Sequence, residues 1–152
     1  MAEAIFPDIS EELPTQESET IGRSPEFIFN ENGRFGEFQL TDGKLNERMG
    51  AKAVKQWFEL MLRQQPGMIP IYRMQGSIKP GVDRSLLGRK VSPGFIYAEV
   101  QRNVEDTATF CPAVRSVDSF EFTRLRHGLE VRFSARLYNG ESVEVRTNIE
   151  SG

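Results

Sequence analysis

Few residues in this sequence are of a type and in a position that could do chemistry. The chain has one histidine, His127, and one cysteine, Cys111, whereas nucleophilic catalysis needs a nucleophile, a base and an orienting group. His127 precedes Gly128 between two β-like runs, which is typical of a solvated hairpin tip. Cys111 precedes Pro112 at a predicted helix end, where a small buried thiol is the common case. A single cysteine also excludes an internal disulfide and a zinc site built on several thiolates.

Paired carboxylates are the other possible chemistry, and neither pair is well placed for it. Glu105 and Asp106 are neighbours on a predicted helix, where adjacent side chains point in different directions. Glu11 and Glu12 lie in an acidic, apolar-poor segment that cannot hold them in a fixed geometry. An enzyme that cleaves cell-wall glycan would need two positioned carboxylates. No glycine pattern matches a phosphate-binding loop. We therefore expect no enzyme activity, no cofactor and no metal.

Charge is divided unevenly along this chain of 152 residues with a net charge of −3. Residues 1–31 contain eight acidic residues and one basic residue, whereas the other 121 contain 18 basic and 14 acidic ones. The stretch from Ser10 to Pro25 has too few apolar residues to offset the entropy cost of ordering. Residues 1–25 are therefore predicted to form an acidic extended or flexible arm. The arm is either a solvated tail or a segment that becomes ordered on a partner.

The sequence as a whole predicts that neither a membrane nor a nucleic acid is a partner. It has no run of about 18 apolar residues, and the N-terminus lacks the basic and apolar regions of a signal peptide. Nucleic-acid binding requires a dense basic face. The arginines of the predicted C-terminal strands are instead spread among acidic residues; they are Arg124, Arg126, Arg132, Arg136 and Arg146.

Residues 26–152 are predicted to form a single α+β domain, beginning with a short hairpin. Residues 26–29 and 35–40 have β-like composition, and turn chemistry lies between them. The next part, residues 44–110, is predicted to be mainly helical.

Two amphipathic helices are predicted in that part. In the first, from Gly50 to Gln65, apolar residues recur every three or four positions; they are Ala53, Val54, Trp57, Phe58, Met61 and Leu62. The second begins with Ser92 at the N-cap and Pro93 at the first helical position. Residues 68–90 between the helices are irregular, which is typical of a segment that is functional or is held by a partner.

A three-stranded antiparallel meander is predicted over residues 114–149. Residues 129–137 and 143–149 alternate between apolar and polar side chains. A three-residue loop, Tyr138-Asn139-Gly140, with Gly140 in the left-handed conformation, brings the apolar faces together by pairing Ala135 with Val143. The same alternation upstream places Phe122 beside Phe133.

The last strand of this meander is predicted to be an exposed edge. It alternates charged and β-branched residues, which protects it against random pairing and leaves it able to accept a specific added strand.

The order of these parts resembles a known family. An acidic N-terminal segment containing Phe6-Pro7-Asp8 precedes a hairpin, two helices, Pro112 and a meander that begins with residues 114–122. Over residues 26–149 the chain looks like the XkdS-like family of phage baseplate proteins. That family is similar to the sheath-initiator (GpW/gene-25-like) wedge proteins of contractile tails. The broader family often has Glu-Pro-Arg before the first meander strand. Here Cys111-Pro112-Ala113 keeps only the proline, and Arg115 is a candidate replacement for the basic residue.

The resemblance implies a structural, non-enzymatic role as a virion component. The protein would link wedge subunits to the first sheath ring of a bacteriophage tail or related injection system, by adding a strand from the sheath. Its partners would be the sheath protein and other baseplate wedge proteins, with tube proteins as a further candidate. It would be assembled in the bacterial cytoplasm and located in the tail baseplate.

The residues implied in these contacts fall into three sets. The sheath-interface strand is Glu141, Ser142, Val143, Glu144, Val145, Arg146 and Thr147; the family-motif region holds Pro112 and Arg115; Trp57, Phe58 and Met61 are candidates for the wedge-facing side of the first helix. Deleting residues 141–152 is expected to leave a soluble protein that no longer nucleates sheath. The alternative is a cytoplasmic regulatory adaptor on the same small α+β scaffold.

Overall fold

The computed structural model has an α+β fold and describes residues 22–30, 35–73, 76 and 78–150. The strands are β1 (Ser24–Pro25), β2 (Phe27–Phe29), β3 (Gly36–Phe38), β4 (Leu40–Thr41), β5 (Lys44–Leu45), β6 (Glu47–Arg48), β7 (Val114–Leu125), β8 (Gly128–Leu137) and β9 (Ser142–Glu150). The helices are α1 (Gly50–Met61), α2 (Pro70–Arg73), α3 (Pro93–Ala108) and a 3-10 helix (Arg84–Gly88). Within the described ranges, no helix is long and apolar enough to cross a membrane.

Six short strands form an N-terminal β unit (residues 24–48) of three antiparallel pairs that meet at one junction. The pairs are β2 with β3, β4 with β5, and β1 with β6. A ring of backbone hydrogen bonds closes the junction: the Glu26 amide donates to Asn46 (2.7 Å), the Asn46 amide to Gln39 (2.8 Å), and the Gln39 amide to Glu26 (2.9 Å). The predicted hairpin is one part of this unit, and its turn at residues 31–34 lies outside the described residues.

The β unit also moves two predicted boundaries. Of the predicted arm, residues 1–21 lie outside the described residues, whereas Ser24 and Pro25 form β1 and belong to the folded body. Residues 44–48, predicted as the beginning of the helical part, form β5 and β6.

Both predicted helices are present and cover the same face of the C-terminal sheet. α1 begins at Gly50 as predicted and ends at Met61, four residues before Gln65. α3 begins after Ser92, whose hydroxyl oxygen accepts a hydrogen bond from the Phe95 amide at 3.3 Å. α1 contacts β9 and α3 contacts β7. The helices thus provide the apolar layer that a sheet with one buried face requires.

The segment between the helices is partly ordered by this chain itself. Val82 is fully buried, its amide donates to the Gln64 carbonyl at 3.0 Å, and the amide of Gly81 donates to Thr107 Oγ1 at 2.9 Å. Gly81 has φ +114, and a Cβ there would lie 2.3 Å from the Gln64 carbonyl oxygen, so only glycine fits. Residues 81 and 82 of the predicted irregular segment are therefore held by the chain itself, through Gln64 after α1 and Thr107 of α3.

The C-terminal sheet is an antiparallel meander in the order β7-β8-β9. The predicted register of the second hairpin is confirmed, since Ala135 pairs with Val143 and Phe133 pairs with Val145. Gly140 has φ +88, and its amide donates to the Leu137 carbonyl at 3.1 Å across the three-residue loop. The left-handed glycine therefore keeps the apolar side chains of both strands on one face.

The turn of the first hairpin lies at Arg126 and His127, and this position changes the predicted register. Phe122 pairs with Val131 rather than with Phe133, and the ring beside Phe133 is Phe120, at a centroid distance of 5.4 Å. The register shifts between Asp118 and Glu121, where Ser119 has φ +59. Phe120 lies on the core side by simple alternation with Phe122, and the extra residue of this bulge places Val117 on the same side, so that all three side chains pack against the core.

The main core lies between the helices and the sheet. Phe58 of α1 and Phe133 of β8 are fully buried, with ring centroids 5.2 Å apart. The opposite face of the sheet is polar and carries cross-strand ion pairs, among them Arg136 with Asp118 at 2.7 Å and Arg146 with Glu130 at 2.8 Å. The prediction that acidic and basic residues are mixed on these strands is confirmed, since the arginines of this face form ion pairs with carboxylates and do not form a basic surface.

Candidate functional site

The outer edge of β9 carries the predicted sheath-interface residues. β9 pairs with β8 on one side, and no strand of the described residues pairs with its other side. The Leu137 amide donates to the Glu141 carbonyl at 2.8 Å. This bond determines which residues of β9 direct their backbone N–H and C=O groups towards β8. Backbone groups of the odd-numbered residues of β9 therefore point to β8. Those of the even-numbered residues point away from it; these are Ser142, Glu144, Arg146 and Asn148.

The side chains of β9 divide between two faces. Val145, Thr147 and Ile149 are buried beneath the helix layer, and Val143 is half-buried. Glu144 and Arg146 lie on the polar face, where Glu144 pairs with Arg132 at 3.4 Å. Only the backbone edge and the polar side chains of β9 are thus available to a partner, because its apolar side chains already form part of the core.

An open cleft of about 760 Å³ runs beside this edge. It is lined by residues of β2, α1, the 3-10 helix and β9. Ile28 of β2 contributes apolar surface and is 44% exposed. We refer to this space as the β9 cleft. Its volume lies within the range of ligand-binding clefts, and Arg146, Thr147 and Asn148 of β9 form part of its lining.

Two arginines stand at the β9 cleft. The guanidinium carbon of Arg63 lies 3.6 Å from the centre of the Phe29 ring, a cation–π contact that fixes the side chain. Arg84 Nη2 donates to the Arg63 carbonyl at 2.7 Å, which brings the 3-10 helix against the end of α1. Burial is the main cause of a lowered pKa of the Arg63 guanidinium, and the positive charge of Arg84 lowers this pKa further, against the effect of Glu59.

The family-motif residues lie away from the β9 edge. Pro112 is exposed in the turn between α3 and β7, and Arg115 is exposed at the beginning of β7. Arg115 occupies a bulge, since the register passes from Val114 to Ser116 without pairing it. Because β8 lies between β7 and β9, the structure does not bring the motif region and the sheath-interface strand together.

The wedge-facing prediction for α1 needs a correction. Phe58 is fully buried and Met61 is 6% exposed, so both side chains belong to the chain's own interior. Trp57 is half-buried and packs edge-on against Phe58 at a centroid distance of 5.0 Å. Phe58 and Met61 cannot contact a wedge subunit in this fold, because their side chains are buried inside the protein.

Glu11 and Glu12 lie outside the described residues, and the other residues considered for catalysis do not form one site. His127 lies in the two-residue tip between β7 and β8, and Cys111 is buried after α3. Asp106 pairs with Arg102 of the same helix at 3.5 Å, and Glu105 accepts from Gln101 at 3.1 Å. Among the described residues, no group of three or more His, Cys, Asp or Glu side chains is placed to hold a metal ion.

Three functional or anchoring residues were missed by sequence reasoning. Gln56 is 1% exposed and anchors the β unit to α1: its Oε1 accepts from the Phe27 amide at 2.9 Å, and its Nε2 donates to the Pro25 carbonyl at 2.7 Å. A polar residue within an apolar helical stripe was the signal that could have found it. Arg63 and Arg84 gave no such signal, because their proximity depends on how residues 64–83 fold.

Comparison with known proteins adds no family assignment. A scan against protein-family models finds no match for this chain, and a search of the curated proteins finds no similar sequence. The resemblance to XkdS-like baseplate proteins stays a prediction.

Proposed function

We propose that this protein is a structural component of the baseplate of a contractile tail or a related injection particle. In this role it connects wedge subunits to the first sheath ring by accepting a strand at the edge of β9. The observation that carries the proposal is that the β9 edge is unpaired among the described residues and faces an open cleft. Its location would be the particle baseplate. Its partners would be the sheath protein and other wedge proteins, with tube proteins as a further candidate.

Strand addition is favoured over face-to-face docking by the charges of the sheet. The exposed sheet face carries acidic and basic side chains that already pair with each other, such as Arg132 with Glu121 and Glu144. Such a face offers little apolar area for docking. Backbone groups along the β9 edge instead offer the regular donors and acceptors that an extended segment needs.

The structure changes how the proposal must be tested. Deletion of residues 141–152 would remove Val145, Thr147 and Ile149 from the core, so loss of sheath in this truncation would not distinguish a lost strand edge from a lost fold. The sharper perturbation is proline at outward-pointing positions, because proline removes an edge amide without removing a bond to β8. We choose the double variant Glu144→Pro/Asn148→Pro, with Glu144→Ala/Asn148→Ala as the matched control.

The measurement is the fraction of baseplates that carry sheath in cells whose only copy of the chain is the variant. We expect the proline variant to give baseplates without sheath and the alanine variant to behave like the wild type. Circular dichroism of both purified variants checks that the fold is kept. Normal sheath on proline-variant baseplates would overturn strand addition at β9. Absence of the chain from purified particles would instead favour the adaptor alternative.

A further inference from the structure

The β9 cleft has an excess of positive charge. Its lining includes five basic residues and three acidic ones; they are Arg48, Lys55, Arg63, Arg84 and Arg146, against Glu59, Glu130 and Glu150. Two of the basic residues are neutralised locally, since Arg146 pairs with Glu130 at 2.8 Å and Arg48 pairs with Glu26 at 3.0 Å. The other lining charges are Lys55, Arg63 and Arg84 against Glu59 and Glu150. Both of these carboxylates act on Arg63, and no ion pair of Arg84 is formed within the described residues.

Arg84 has donor capacity that the chain does not use. Its Nη2 donates one hydrogen bond to the Arg63 carbonyl, and its Nε is enclosed by the chain, so that a ligand in the cleft can reach the guanidinium only through its Nη groups. Within the described ranges, no carboxylate lies at ion-pair distance from this guanidinium. A guanidinium fork of this kind is suited to a carboxylate, which can accept two parallel hydrogen bonds.

Strand geometry determines which side chains of an added segment would reach this arginine. Successive side chains of an extended segment point to opposite faces, so alternate residues of a strand beside β9 would enter the cleft. There they would meet two kinds of surface. One is apolar and includes Phe27 and Ile28 of β2; the other is the guanidinium of Arg84 on the 3-10 helix, which contacts β9.

We infer that the segment accepted at β9 is acidic and amphipathic, with an apolar side chain and a carboxylate on its cleft side, and that Arg84 binds this carboxylate. The inference rests on the proposed strand addition at β9, but not on which particle contains the protein. It names a specificity determinant: the backbone edge accepts an extended segment, and Arg84 selects one that carries negative charge at the matching position.

The test uses the full chain and two capped peptides of eight residues. Both alternate valine with threonine, and one valine is replaced by aspartate in the first peptide and by lysine in the second. Binding is followed by titration of the backbone amide signals of Arg146 and Asn148 in nuclear magnetic resonance spectra. A carboxylate bound to a guanidinium should make the aspartate peptide bind about tenfold more tightly than the lysine peptide, and added salt should reduce the difference.

Variants of Arg84 separate charge recognition from strand addition. Arg84→Gln should abolish the preference for aspartate, and Arg84→Glu should reverse it. The control Arg124→Gln should change neither, because Arg124 is exposed on β7 and does not line the β9 cleft. Amide spectra of the free variants check the fold, and Arg84→Gln keeps a polar side chain in case Arg84→Glu does not fold. Equal binding of both peptides to the wild type would overturn the inference and leave strand addition intact. Failure of every peptide to shift the β9 amides would overturn both.

Discussion

Replacement of Gln56 by alanine should detach the N-terminal β unit while the sheet core stays folded. The side chain is 1% exposed and makes three hydrogen bonds, to the Phe27 amide (2.9 Å), the Pro25 carbonyl (2.7 Å) and Ser24 Oγ (3.1 Å). The variant leaves two backbone groups without partners, at about 1–3 kcal/mol each. Ser24 Oγ can turn to water. We therefore expect the β unit to lose roughly 2–6 kcal/mol of its local stability.

Amide hydrogen exchange measures this loss directly. Protection of the Phe27, Gln39 and Asn46 amides should fall by about 30-fold or more, since each 1.4 kcal/mol is a tenfold change. Amides of β8 should change much less. The control is Gln101→Ala, which removes only the exposed bond to Glu105 at 3.1 Å. If the two variants lower the protection of the β unit equally, the anchoring role assigned to Gln56 is refuted.

Four further predictions follow from particular side chains. Phe133→Ala should lower the free energy of unfolding by about 3–5 kcal/mol, because its ring is fully buried between two other aromatic rings; a loss near zero in urea denaturation would contradict the packing. Ser119→Gly should be more stable than Ser119→Val by about 1–2 kcal/mol in the same assay, because φ is +59; equal stabilities would contradict a left-handed Ser119. A hydrogen bond from Arg48 holds the pKa of the Glu26 carboxyl below its usual value. The ionised carboxylate therefore stabilises the fold at pH values above the pKa of Glu26 in the unfolded chain, and this stabilisation is lost as the pH falls through the lower pKa of the folded state. Glu26→Gln should then flatten the acid limb of stability against pH, and an unchanged limb would argue against the pair. Burial raises the pKa of the Cys111 thiol, so alkylation by iodoacetamide should be slow in the native protein and should accelerate only as unfolding proceeds; rapid native alkylation would show that the thiol is accessible.

The C-terminal hairpin was predictable from sequence because its pattern is local. Residues 129–137 and 143–149 alternate between apolar and polar side chains, and the loop between them contains a glycine. Together these features predict the register in which Ala135 pairs with Val143, and the structure has this register. The start of α3 was predictable for the same reason, since Ser92 and Pro93 are adjacent cap signals. These features depend on residues close together in the chain.

The features that escaped prediction depend on residues distant in sequence. Nothing near Glu26 shows that its backbone will bond to both Gln39 and Asn46. The bulge at Ser119 is not visible in the alternation of β7, because serine is not a residue that usually adopts a positive φ. The β9 edge was predictable from strand order, whereas Arg84 enters its cleft only through the fold of the segment between the helices.

The position of the core strands in the chain has a consequence for biosynthesis. α1 and α3 precede all three strands that cover them, and the packing partner of Phe58 is Phe133. Both helices therefore leave the ribosome with bare apolar stripes and must wait for β7, β8 and β9 before they can be shielded. A growing chain that holds its helices uncovered in this way is a natural client for a holding chaperone. Synthesis that stalls between residues 108 and 150 should consequently yield aggregates rather than a smaller folded product.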